Sequence, residues 1–197
     1  MLWRSADIRI FTPAEYRDAF AALDPVKRER VERIRQRKDK MRTVFGDLLA
    51  RQLLSEVLRV TPESLSFVYS DTGKPYLESG AYHFNISHSE DMVAVCVHEA
   101  PCGIDIEKIR AIDPKLALRF FSPAEQLYLF GHEPKDLDLE RTLTPDAQLR
   151  FFEIWTAKEA YLKRTGEGMT HVKAIDTTPL SFERHLLPDD YIVTIFK

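Results

Sequence analysis

Asp105 and Glu107 stand two apart in the stretch Gly103-Ile104-Asp105-Ile106-Glu107. The alternation predicts a β-strand, on which residues two apart point to the same face. Two carboxylates so placed repel each other. A divalent cation between them relieves the clash, and Mg2+ suits such a pair because it binds one or two carboxylates and fills its remaining positions with water and substrate phosphates. A pair of acids on a solvated strand is the plain alternative. A second group lies in Trp155-Thr156-Ala157-Lys158-Glu159-Ala160-Tyr161-Leu162-Lys163. Glu159 and Lys163 are four apart and share one helix face, with Glu159 a candidate third carboxylate. As a mere surface pair they would contribute about 0.2–0.5 kcal/mol. Lys158 reads as a solvated neighbour.

The elements that must position these groups follow from pattern. Residues 7–12 read as a short strand, and Pro13 opens a helix over 13–23 with Thr12 as N-cap. Asp24-Pro25 starts another helix in the same way. Apolar residues at helical spacing over 43–58 predict a buried core helix, and 61–64 is a break. Strands are expected over 65–69, 82–86, 92–98 and 103–107, with Asp71-Thr72-Gly73-Lys74-Pro75 as a turn. A helix follows near 114–120, then Ser122-Pro123-Ala124-Glu125 as a capping box. The polar stretch 131–145 reads as a mobile loop. A strong helix covers 147–165, ended by Gly166, and 172–196 holds two or three short strands. The order predicts an α+β fold, with two halves, 1–100 and 101–197, divided near Pro101.

Composition narrows the function. The 197 residues are 44% hydrophobic and 30% charged, ordinary for a globular protein. The start lacks a secretion-type apolar run, no stretch suits a bilayer span, and Cys96 and Cys102 cannot form a disulfide framework. The expectation is a cytoplasmic protein. A net charge of −3 argues against bulk nucleic-acid binding. That charge is uneven, however: residues 27–42 carry +6, leaving −9 elsewhere. The basic stretch is either a solvated helix face or a local anion site. Asn85-Ile86-Ser87-His88-Ser89 and Gly73-Lys74-Pro75 are weak signals by themselves, a self-capped turn and a common turn. Neither a P-loop nor a dinucleotide glycine fingerprint is present.

Taken in order, Gly73-Lys74-Pro75-Tyr76, Asn85-Ile86-Ser87-His88-Ser89, Gly103-Ile104-Asp105-Ile106-Glu107 and Trp155 through Lys163 resemble the 4′-phosphopantetheinyl transferases of the surfactin-synthetase-activating (Sfp) type. Arg42-Thr43 and Phe120-Phe121-Ser122-Pro123-Ala124-Glu125 add to the likeness, which covers roughly residues 5 to 170. The resemblance implies a pseudo-dimer of two similar α+β halves with the cofactor cleft between them. It implies transfer of the phosphopantetheine arm of coenzyme A to a serine of an apo carrier protein, with release of adenosine 3′,5′-bisphosphate. By motif match Asp105, Glu107 and Glu159 would hold Mg2+, Glu159 would take the serine proton, and Lys163 would stabilise the leaving group. Lys27, Arg30, Thr43 and His88 match positions that contact the 3′-phosphate, and Lys74 and Ser87 lie near the adenine and phosphates. Asp105, Glu159 and Lys163 would thereby also contact coenzyme A. Arg30 stands where the family often has lysine, and the region after Gly168 is shorter than in many members. A coenzyme A or carrier-binding module without turnover and a Mg2+-dependent coenzyme A hydrolase remain the rival functions. A monomer without nucleic-acid or membrane partners is expected.

Overall fold

The computed structural model describes residues 1–71, 73–167 and 169–197, without the side chains of residues 137 and 169–171. Thr72, in the expected turn, and Gly168 lie outside the described residues. The architecture is α+β. The chain divides into two compact units, Met1–Cys102 with Lys197, and Gly103–Phe196.

The first unit runs β1 (Leu2–Asp7), a 3-10 turn (Ile8–Ile10), α1 (Pro13–Ala21), α2 (Pro25–Arg33), α3 (Arg37–Leu58), a 3-10 turn (Pro62–Ser64), β2 (Phe67–Tyr69), β3 (Pro75–Leu77), β4 (His83–Ser89) and β5 (Met92–His98). β5 is the centre of an antiparallel sheet ordered β1-β5-β4, and β2 and β3 form a separate hairpin. The strand expected over 7–12 is displaced: Asp7 ends β1, and its side chain accepts from Arg9 N (2.8 Å) to start the 3-10 turn. The caps behave as their residue types dictate. Thr12 and Glu15 form a reciprocal capping box on α1, and the Asp24 carboxylate accepts from Lys27 N at the start of α2. α3 starts six residues earlier than its apolar periodicity, because its first turn is polar. Its buried side, with Val44, Phe45, Leu49, Leu53 and Leu54, packs with Phe84, Val93, Val95 and Val97 into one core.

The second unit runs β6 (Gly103–Lys108), α4 (Lys115–Phe120), α5 (Pro123–Phe130), α6 (Asp136–Glu140), α7 (Pro145–Thr165), a 3-10 segment (Met169–Ala174), β7 (Glu183–Leu187) and β8 (Tyr191–Phe196). β8 is the centre of an antiparallel sheet ordered β6-β8-β7. The stretch expected to be one loop over 131–145 contains the short helix α6. Ser122 and Glu125 complete the expected capping box with Pro123 at N1, and Gly166 in the left-handed conformation ends α7. Phe121, Leu129, Phe151, Phe152, Ile154 and Ile192 form this unit's core.

One expectation fails in an informative way. Lys158 is not solvated but fully buried, and so is its partner Glu125, whose Oε2 lies 2.7 Å from Lys158 Nζ. The ammonium also donates to Val172 O (2.8 Å) and to Ile175 O. Glu125 closes the α5 cap through Ser122 N (2.7 Å) and accepts from Thr177 N and Oγ1 (2.9 and 2.7 Å). Burial lowers the Lys158 pKa, and the Glu125 charge works against that. A buried pair this well bonded fixes α5, α7 and residues 172–177 together.

Candidate active site

The acidic strand and the motif helix meet within the second unit. β6 lies antiparallel to β8, with Asp105 opposite Thr194 and Glu107 opposite Ile192. α7 packs against β6 at very short range. A Cβ built on Gly103 would fall 1.9 Å from Ala160 O and 2.8 Å from Arg164 N. Only glycine fits, since backbone cannot swing aside as a side chain can. Ala157 and Ala160, both fully buried, keep the helix surface thin here. Because Gly103, Asp105 and Glu107 alternate on one face, the same close approach brings the carboxylates to α7.

Lys163 Nζ donates to Asp105 Oδ1 at 2.6 Å. The i, i+4 spacing of Glu159 and Lys163 therefore serves a three-way cluster across helix and strand. Burial raises the Glu159 pKa most; the Asp105 charge adds to the rise, Lys163 opposes it and Glu107 adds further. Glu159 thus feels both strand carboxylates, as a like charge near them must. Thr156 fixes the helix's rotation. Its hydroxyl donates to Phe152 O (2.7 Å), so Thr194 Oγ1 must be the donor in the 2.6 Å contact between the two threonines.

Replacing Gly103 with alanine should cost about 3 kcal/mol by forcing α7 off β6. Denaturant unfolding reads the loss directly. A loss below about 0.5 kcal/mol would show that the strand and helix can part without consequence.

The remaining candidates lie in the first unit. Lys27 and Arg30 are three apart on α2. Burial lowers the Lys27 pKa, while Asp47 and Asp24 pull it up. Arg30 Nη1 donates to Gly73 O at 3.2 Å, bringing it to the turn that carries Lys74. Burial lowers the Lys74 pKa. Cys96 Sγ–H donates to Cys102 Sγ at 3.4 Å. Ser87 and His88 belong to β4 rather than to a self-capped turn, with Ser87 buried and His88 exposed. The Thr43 hydroxyl donates to Asp39 O (2.8 Å), so a phosphate contact from it requires that proton to be re-aimed.

Sequence reasoning missed the support behind these cations. Asp47 and Arg51 are buried on α3, with Arg51 Nε donating to Asp47 Oδ2 at 2.8 Å. Two charges within an apolar helical run are the signal that could have found them.

A family model described as the 4′-phosphopantetheinyl transferase superfamily matches residues 101–192, and one described as the N-terminal part of a 4′-phosphopantetheinyl transferase matches residues 11–100. The 4′-phosphopantetheinyl transferase HetI of Nostoc sp. is 33% identical over 98% of this chain and 84% of its own length. The chain belongs to the 4′-phosphopantetheinyl transferase family. Among other members, gsp of Aneurinibacillus migulanus is 38% identical over 67% of this chain and 51% of its own length. Sfp of Bacillus subtilis strain 168 is 34% identical over 75% and 62%. The chain thus spans between half and two thirds of the length of several such relatives. Among the described residues no helix is long and apolar enough to cross a membrane.

Proposed function

We propose that this protein transfers the 4′-phosphopantetheine arm of coenzyme A to a serine of an apo carrier protein and releases adenosine 3′,5′-bisphosphate. The observation that carries the reading is the convergence of Asp105, Glu107, Glu159 and Lys163 where α7 meets β6, in a member of this family. Binding alone does not require that constellation.

The donor set suits Mg2+: three carboxylates give hard oxygen ligands with excess negative charge. Among the described residues no three His, Cys, Asp or Glu side chains stand grouped so as to hold a metal ion, so the three carboxylates would have to draw together on it, with water and substrate phosphates completing its shell. Asp105, Glu107 and Glu159 would hold it. When bound there, magnesium supplies charge neutralisation on the pyrophosphate.

The chain's own groups do the rest. The carrier serine Oγ forms a bond to the phosphorus that bears the pantetheine arm, and the bond from that phosphorus to the bridging pyrophosphate oxygen breaks. Glu159 takes the serine proton, directly or through water. Lys163 stands over the charge of the departing bisphosphate. Lys27, Arg30, Thr43 and His88 grip the 3′-phosphate, and Lys74 and Ser87 lie near the adenine and phosphates. Much of the acceleration then comes from alignment of the serine with the pyrophosphate. The reading takes the protein as monomeric and cytoplasmic, without nucleic-acid or membrane partners.

Chromatography of adenosine 3′,5′-bisphosphate tests the reading. Its release from coenzyme A should need both Mg2+ and an apo carrier protein. Release at the same rate without carrier would indicate a hydrolase, and binding without release a module lacking turnover.

A further inference from the structure

Lys27 and Arg30 share one face of α2, and one side chain from another element supports both. The Tyr69 hydroxyl, on β2, donates to Asp24 Oδ2 in a short hydrogen bond. The other oxygen of that carboxylate accepts from Lys27 N at 2.9 Å and caps α2. The Arg30 guanidinium lies over the Tyr69 ring, 4.8 Å from its centre. One edge of the guanidinium donates to Gly73 O. A guanidinium held by its face presents its remaining N–H groups outward, in the fork that fits a phosphate. Behind Lys27, Asp47 is buried, and among the described residues its Oδ1 has no hydrogen-bond partner. Arg51 and Lys27 are the cations acting on Asp47. Arg51 also donates to Leu65 O at 2.9 Å, which anchors this counter-charge to the chain leading into β2.

We propose that Tyr69 is a positioning residue that sets Lys27 and Arg30 as a two-point grip for a phosphate monoester, and so sets the preference for a nucleotide bearing a 3′-phosphate. The inference rests on the reading of α2 as the 3′-phosphate site. Without the ring Arg30 loses its platform. Without the hydroxyl the α2 cap loses its tie to β2, and Lys27 its fixed start.

Calorimetric binding of coenzyme A and of 3′-dephospho-coenzyme A tests it, on the wild type, Tyr69→Phe and Tyr69→Ala. The wild type should prefer coenzyme A by about 10-fold or more. Tyr69→Ala should weaken coenzyme A about 10-fold and leave the dephospho form within about twofold. Tyr69→Phe, which keeps the ring, should lose about threefold. If Tyr69→Ala retains the wild-type preference, or weakens both ligands equally, Tyr69 does not position the grip. Equal binding of the two ligands by the wild type would overturn the phosphate reading of α2 and the inference with it. A wild type that prefers coenzyme A but transfers no arm would refute the transferase reading while leaving the grip intact.

Discussion

Asp105→Asn should lower phosphopantetheine transfer by at least about 100-fold while leaving the fold in place. The substitution is isosteric, and the amide oxygen can still accept from Lys163, which now donates to Asp105 Oδ1 at 2.6 Å. What it removes is one of the three negative charges grouped where β6 meets α7. Asparagine is also a far poorer ligand for Mg2+ than a carboxylate. Because Lys163 is partly exposed, its ammonium can reach water if the contact weakens, so the stability change should be small. The measurement is the steady-state transfer rate at saturating Mg2+, with thermal unfolding as the control. A variant within a few-fold of wild type would show that Asp105 does not hold the metal.

Glu125→Ala should produce the largest loss of stability. It takes from the fully buried Lys158 ammonium its ion-pair partner at 2.7 Å and removes the cap of α5 and the anchor of Thr177 together. Breaking a buried pair from one side costs about 3–5 kcal/mol, which in a chain of this size lowers the midpoint by roughly 10 °C. The double variant Glu125→Leu with Lys158→Met should recover part of that, because no lone charge stays buried. Urea unfolding of both variants decides the matter. If Glu125→Ala loses under about 1 kcal/mol, the pair does not secure α7. Lys158 immediately precedes Glu159, so a shifted α7 should also impair transfer, by misplacing the Glu159 carboxylate.

Local chemistry made much of this fold legible. Pro13, Pro25 and Pro123, each following a capping residue, mark helix starts that the chain adopts, and the alternation in 103–107 places Asp105 and Glu107 on one face. Met92–His98 is a strand because its near-continuous apolar run suits a central position in a sheet. The misses have physical causes. Asp7 bears a side chain that caps a turn, and a polar, mixed edge strand before it offers little periodicity. α6 has five residues, too few to show a face. Lys158 looks like any helix lysine until its partner, 33 residues upstream, is known. Tyr69 and Asp24 are 45 apart, and neither is unusual alone. Sequence spacing shows which groups share a strand or a helix. It does not show that Gly103 lets the strand approach the helix backbone, which is what joins the two motifs into one site.

The most direct measurement is the intact mass of an apo carrier protein after incubation with this protein and coenzyme A, with Mg2+ and with excess chelator, across carriers from fatty-acid, polyketide, peptide-synthetase and lysine pathways. At least one carrier should gain the mass of a single phosphopantetheine arm with Mg2+, lose that gain when its acceptor serine is replaced, and gain nothing under chelation. Unmodified carriers throughout, or equal modification with and without the metal, would contradict the account.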